Sequence, residues 1–331
     1  MSFLIWCWSS LMGSEMKMHI RECVIDITYR CRSKCKYCQW SVGRGYDIPL
    51  DKLKLAPKAV ELAEIRRIVL SGGEPLLYPN LFELLEYYRN IRMVEDIVII
   101  TNGLELTPDL HKKLVNTGVT GFVFSLDSID PRKYYVTRGL KYHAFKRIIK
   151  NLISVAQIPK RDYVIGINVV LSRANLDLNE VLRILSFAEE NNIDFVKFQP
   201  VYDDGFLSKN APELKLNAEL AHIILSIYKH MCLHSYSVST NLPEFWLALY
   251  KLLKGDVLDP NNCTVPETFL LLKEGYLMFC FWNQSIKVHI SYADSVFENF
   301  DDLVEKFKLS MAHCRVWEPC FCIQPLYHRW L

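Results

Sequence analysis

Six strand-like runs alternate with helical ones between residues 22 and 200, and that rhythm leaves few folds open. Strands are expected at about 22–28, 66–71, 96–101, 120–125, 163–171 and 194–199. Helices are expected between them, at about 50–63, 79–90, 108–117, 141–156 and 176–191. Pro108 and Pro131 suit first helical turns. Repeated β/α units imply a parallel sheet with helices packed outside it. Six units are too few to close an eight-fold barrel, so the expected fold class is α/β, a curved and partly open (β/α)6 barrel.

In such barrels the chemistry sits at the carboxyl ends of the strands. After the first strand the chain reads Cys31-Arg-Ser-Lys-Cys35-Lys-Tyr37-Cys38, three thiols at i, i+4 and i+7 in a short basic loop. Ser71-Gly72-Gly73-Glu74-Pro75 follows the second strand and Thr101-Asn102-Gly103 the third. Ser125-Leu126-Asp127 follows the fourth. Three thiolates on one loop can hold three irons of a cubane and leave a fourth iron open to a chelating small molecule. Zinc is the alternative, although a structural zinc site takes four ligands. A disulfide between loop thiols this close suits a reducing compartment poorly.

The order CxxxCxΦC with an aromatic Φ, followed by GGEP after the second strand, resembles the radical S-adenosylmethionine (radical SAM) enzymes. Cys31, Cys35, Tyr37, Cys38 and Gly72 to Pro75 match that pattern without a gap, and the resemblance spans residues 20–200. It implies a partial TIM-like barrel, a [4Fe–4S] cluster on Cys31, Cys35 and Cys38, and S-adenosylmethionine chelated to the open iron. It also implies an electron donor such as ferredoxin or flavodoxin, and reductive cleavage to a 5′-deoxyadenosyl radical that abstracts hydrogen from substrate. Gly72, Gly73 and Glu74 would contact the amino group of the ligand, and Tyr37 would pack near its adenine and the cluster. Asn102 belongs to the same rim. Ser125 and Asp127 resemble polar residues that meet the ribose or the methionyl carboxylate, and Arg138 resembles an arginine pairing with that carboxylate; a solvated surface arginine is the alternative. Asn168 and Val170, on the fifth strand, are candidates for the adenine pocket, though the family's glycine-rich adenine loop is not evident.

Past residue 205 the rhythm is read as ending, and a helix is expected at 212–235. Cys263, Gly275 and Cys280 then resemble the opening of the SPASM and Twitch auxiliary-cluster domains, with the glycine turning a short hairpin. A helix at about 300–311 and Cys314, Cys320 and Cys322 follow. Cys263, Cys280 and two of those three would ligate one auxiliary [4Fe–4S] cluster; zinc or buried thiols are the alternatives. The organisation read this way is an extension at 1–19, a core at 20–205 and a small α+β auxiliary domain at 206–331. An auxiliary cluster would accept an electron from a substrate radical, and Asp203 and Asp204 are candidates for the accompanying base.

A net charge of +2 gives no broad case for nucleic acid or an anionic membrane. The apolar start, Met1 to Met12, is too short and lacks the basic lead of a signal peptide; Met16 or Met18 is a candidate start. Eight of the eleven cysteines fall in two groups, at 31–38 and 263–322, which argues for metal, and the expected location is the cytoplasm. Cys7, Cys23 and Cys232 stand apart and are expected to be buried thiols. The expected function is oxidation or crosslinking of a peptide or protein side chain, as radical SAM maturases do. The alternatives are a small-molecule dehydrogenase or cofactor-biosynthesis enzyme, and a non-enzymatic metal scaffold. The cyclase that begins molybdopterin synthesis shares the layout, but its terminal Gly-Gly is absent from this chain, which ends at Leu331.

Overall fold

A computed structural model describes residues 22–41, 43, 45–62, 65–203, 205–256, 269–273, 276–278, 287–289 and 306. Its strands are β1 (Glu22–Thr28), β2 (Arg67–Gly72), β3 (Asp96–Thr101), β4 (Gly121–Ser125), β5 (Val164–Leu171), β6 (Phe195–Pro200), β7 (Ser239–Thr240), β8 (Phe269–Lys273), β9 (Tyr276–Met278) and β10 (Lys287–His289). The helices are α1 (Leu50–Leu53), α2 (Ala56–Leu62), α3 (Leu81–Arg89), α4 (Pro108–Asn116), α5 (Pro131–Arg138), α6 (Tyr142–Ala156), α7 (Leu178–Glu190), α8 (Phe206–Asn210), α9 (Ala221–Leu233) and α10 (Pro243–Leu253).

All ten strands form one sheet in the order β10-β9-β8-β1-β2-β3-β4-β5-β6-β7. From β8 to β7 every neighbouring pair is parallel. β9 and β10 add an antiparallel edge. The six expected strands are therefore present in an unclosed, barrel-like sheet, but the rhythm does not stop near residue 205. β7 continues the sheet beyond β6, and β8 returns to the other side of β1 with Glu22 opposite Phe269. β8 and β9 pair antiparallel, with Lys273 opposite Tyr276; Gly275 lies outside the described residues.

Period-two alternation divides the sheet into two faces. On β3, Ile97 and Ile99 are buried in the core beneath the helices, while Val98 and Ile100 line the lumen. The helices answer with stripes at helical spacing. On α6, Phe145, Ile148, Leu152 and Val155 are buried against the sheet, each contributing roughly 1.5–3 kcal/mol by burial. Part of α9 and α10, including Ile224, Ile227, Phe245 and Trp246, belongs to the same core.

The helix expected at 50–63 is two, α1 and α2. Pro57 lacks an amide proton and its ring clashes one turn back, so it restarts a helix rather than continuing one. The helix expected at 212–235 opens as two 3₁₀ turns before α9. Cys23 is buried as expected, whereas Cys232 is exposed on α9. Among the described residues no helix is long and apolar enough to cross a membrane. Cys7, Asp204, Cys263, Cys280, Cys314, Cys320 and Cys322 lie outside the described residues, as does nearly all of the helix expected at 300–311.

Candidate functional site

The carboxyl ends of β1 to β6 open on a cavity of about 390 Å³. Cys31, Cys35, Tyr37 and Cys38 line it, together with Gly72, Gly73, Asn102, Ser125, Arg138, Asn168 and Val170. Residues spread over 140 positions of sequence thus share one wall: the loops after the parallel strands and the inward positions of β5 converge on it, and Arg138 reaches it from the end of α5.

The cysteine loop is held from both sides. At its root, Thr28 Oγ1 donates to Asp47 Oδ1 at 2.7 Å, Arg30 pairs with the same carboxylate at 3.1 Å, and Tyr29 stacks on Trp40 with ring centroids 3.9 Å apart. Further on, Lys34 N donates to Arg138 O and Lys36 N to Thr137 O, both at 3.0 Å. Those carbonyls end α5 and lack helical partners, so the cysteine loop caps the helix. Gly139 makes the approach possible: it takes φ +66°, and a Cβ there would strike the backbone of Lys34.

Gly72 and Gly73 serve a similar purpose. Gly72 has φ +117°, a conformation side chains rarely adopt, and a Cβ on it would collide with the carbonyl oxygen of Thr28. A Cβ on Gly73 would collide with that of Arg30. Gly73 N donates to Thr28 O at 2.6 Å and Glu74 N to Arg30 O at 2.8 Å. The close approach expected toward a ligand is thus first an approach to the chain's own cysteine loop.

Glu74 is buried and does not line the cavity. Its carboxylate accepts from Thr101 Oγ1 and Asn102 N at 2.7 Å and from Leu76 N at 3.2 Å. Burial pushes its pKa up to about 7 against those donors. The glutamate expected at a ligand amino group instead ties the β2 loop to the β3 loop. There Asn102 turns the chain, accepting from Leu104 N at 2.8 Å, and its Nδ2 lies 3.8 Å from Cys31 Sγ.

Asp127, expected at a ribose or carboxylate, is also engaged by protein. Its oxygens accept from Arg138 Nε at 2.8 Å and Nη2 at 2.7 Å, from Tyr37 Oη at 2.6 Å and from Val170 N at 3.0 Å. Arg138 is buried, which removes the surface-arginine reading, and its Nη1 lies 3.9 Å from Cys35 Sγ. Burial opposes the charge on Arg138, but Asp127, Tyr37 and Cys35 more than offset it and hold its pKa well above the usual value. Burial pushes the Cys35 thiol up to about 12 despite Arg138, and neighbouring Cys38 and Cys31 push the same way. Burial, then Glu74, raises Cys31.

Asp203 is placed for structure. Its oxygens accept from Gly205 N at 2.9 Å, Ser208 N at 3.0 Å and Ser208 Oγ, and Lys215 lies 2.9 Å away. Those bonds outweigh burial and hold its pKa near 2, a poor setting for a general base, and it is not among the cavity-lining residues.

Sequence reasoning missed part of a polar row lower in the lumen. Of that row Ser125 and Asn168 were expected; the members missed are Lys197, opposite Asn168 on β6, and the cavity-lining Gln199 and Asn241. Asn168 Oδ1 is buried without a hydrogen-bond partner. The available signal was Lys197, a charged residue at an inward position of a buried strand. Asn175 was missed as well; its Nδ2 donates to Asp127 O at 2.8 Å and Val170 O at 2.9 Å.

Comparison with known proteins places residues 25–188 in the radical SAM superfamily model. The GTP 3′,8-cyclase of Syntrophomonas wolfei subsp. wolfei is 29% identical over 212 residues, which is 60% of this chain and 63% of that protein. The GTP 3′,8-cyclase of Lactiplantibacillus plantarum is 29% identical over 294 residues, 85% of each chain. The chain thus spans less than two thirds of the first relative's length. In fold it is similar to Streptococcus suis SuiB bound to S-adenosylmethionine, with a TM-score of 0.64 at 15% identity, over 86% of this chain and 66% of that one.

Proposed function

Because residues 25–188 are a radical SAM domain, we propose that this chain is a radical SAM enzyme acting on a small molecule, of the nucleotide class that its GTP 3′,8-cyclase relatives are named for. The cofactors of such a domain are a [4Fe–4S] cluster and S-adenosylmethionine. Cys31, Cys35 and Cys38 would ligate the cluster. When bound and reduced, it supplies one electron to the sulfonium.

The observation that carries this reading is the shared cavity: three thiols, Asn102, Ser125, Arg138 and the unpartnered Asn168 Oδ1 all face it. The residues suit the group. A buried thiol held up near 12 needs a cation to become a thiolate, and bound metal is such a cation. Among the described residues no three His, Cys, Asp or Glu side chains converge as they would on a single metal ion. Ser125 and Arg138 would orient the ligand's polar groups, Asn168 Oδ1 would accept a hydrogen bond, and Val98, Val123 and Val170 would exclude water around it.

Modification of a peptide or protein is the second reading. The likeness to SuiB is one of fold, so the names of the relatives favour a small molecule. An auxiliary cluster on Cys263, Cys280 and two of Cys314, Cys320 and Cys322 belongs to the proposal, as does reduction by a ferredoxin or flavodoxin. Anaerobic reconstitution tests the whole: about eight irons per chain are expected with both clusters and about four with one. Dithionite and S-adenosylmethionine should yield 5′-deoxyadenosine, and adding GTP should increase it. Cys35→Ala should abolish that product; its persistence in the variant sinks the cluster assignment.

A further inference from the structure

The guanidinium beside Cys35 has more fixed geometry than an ion pair requires. Asp127 takes two of its edges, Nε and Nη2. Asp127 is itself fixed by Tyr37 Oη, by Val170 N and, through its own carbonyl, by Asn175. The guanidinium carbon lies 5.6 Å from the centroid of the Tyr37 ring. With those edges spent, Nη1 is directed at Cys35 Sγ, 3.9 Å away. At Cys31 the comparable donor is neutral, Asn102 Nδ2 at 3.8 Å. Cys31 and Cys35 thus each have a side-chain N–H beside the sulfur, one neutral and one charged.

We propose that Arg138 is a positioning residue that sets the reduction potential of the cluster through the sulfur of Cys35, with Asn102 a weaker counterpart at Cys31. The inference rests on the function proposed above and deepens it. An N–H donor and a positive charge beside a thiolate draw electron density from the sulfur. The reduced cluster is the more negative state and gains more from that pull, so the potential rises. Asp127 faces the opposite edges of the guanidinium and aims it, whereas the N–H contact to sulfur is direct. A lysine would keep the charge but not the fork that fixes its direction.

The test is an EPR-monitored redox titration of the full chain, reconstituted anaerobically, with iron and sulfide counted. S-adenosylmethionine is left out, so any contact between Arg138 and that ligand does not contribute. The relevant signal is the one missing from C35A. R138Q should show a tenfold lower ratio of reduced to oxidised cluster at fixed poise, about 59 mV for a one-electron couple. R138K should shift the same way by less, and N102L by less again. An unchanged midpoint in R138Q at wild-type iron content overturns the inference. Should R138Q not hold iron, R138K decides by the same criterion, and loss of iron from both makes Arg138 structural and overturns it too. A wild-type chain that takes up no cluster sinks the proposed function itself; a wild-type cluster indifferent to Arg138 sinks this inference alone.

Discussion

The sheet carries arginine–carboxylate pairs at both ends of its strands, and they are built differently. At the carboxyl ends Arg138 and Asp127 meet at 2.7 Å with side chains 9% and 0% exposed. At the amino ends Arg66 and Glu95 meet at 3.1 Å with side chains 69% and 63% exposed, and Arg67 and Asp96 at 2.7 Å in partial burial. Chemically these are one interaction, but solvent separates them. An exposed pair contributes about 0.2–1 kcal/mol, while stranding one half of a buried pair costs roughly 3–5 kcal/mol. Burial of this kind seldom repays itself in stability, so the carboxyl-end pair points to a duty beyond holding the fold together.

The sharpest way to break the comparison is Asp127→Leu. It leaves Arg138 charged and buried, and urea unfolding should show a loss of about 3–5 kcal/mol; a loss below about 1 kcal/mol would mean that water reaches the pair. Next is His111 on α4, buried against Phe122 and Tyr163 with Nε2 unpartnered. Burial lowers its pKa from 6.5 to about 4. The folded state then binds fewer protons than the unfolded one between those values. Its contribution is complete above pH 6.5 and is lost as pH falls toward 4, by up to about 3 kcal/mol. His111→Phe should flatten that slope in Tm against pH relative to wild type. Asp96→Ala comes third: it removes the acceptor of Arg67 Nη2 and Thr120 Oγ1 and should cost about 1–2 kcal/mol. Glu95→Ala should fall within about 0.5 kcal/mol of wild type, and any larger change would erase the distinction between the two ends.

The six core strands were legible to within a residue because each is a short apolar run, and five of them run into a Gly, Asn or Asp within a few residues of their end. β7 was not, since two residues carry no period. β8, Phe269–Lys273, was passed over because its partner is β1, and a parallel pairing at that sequence distance leaves no local mark. Within the site, motif spacing located the wall but not the division of labour on it. Glu74 and Asp127 carry family-like positions, yet their oxygens are filled by Thr101, Asn102, Tyr37 and Arg138. Such networks join residues from four different loops, and no periodicity encodes them. Asp203 looked placed for chemistry by following β6, but Ser208 and Lys215, a few residues on, claim it.

β1, which leads into the cysteine loop, is flanked by β2 on one side and β8 on the other. On a ribosome the thiol-bearing segment emerges early, while the strand that completes its support is made only after residue 269. Between those moments β1 is an open edge. Assembly of the finished wall is a late, high-contact-order event. Timing of iron delivery therefore becomes a folding question: metal supplied to a nascent chain would meet a half-framed nest, and metal supplied after release would meet a complete one.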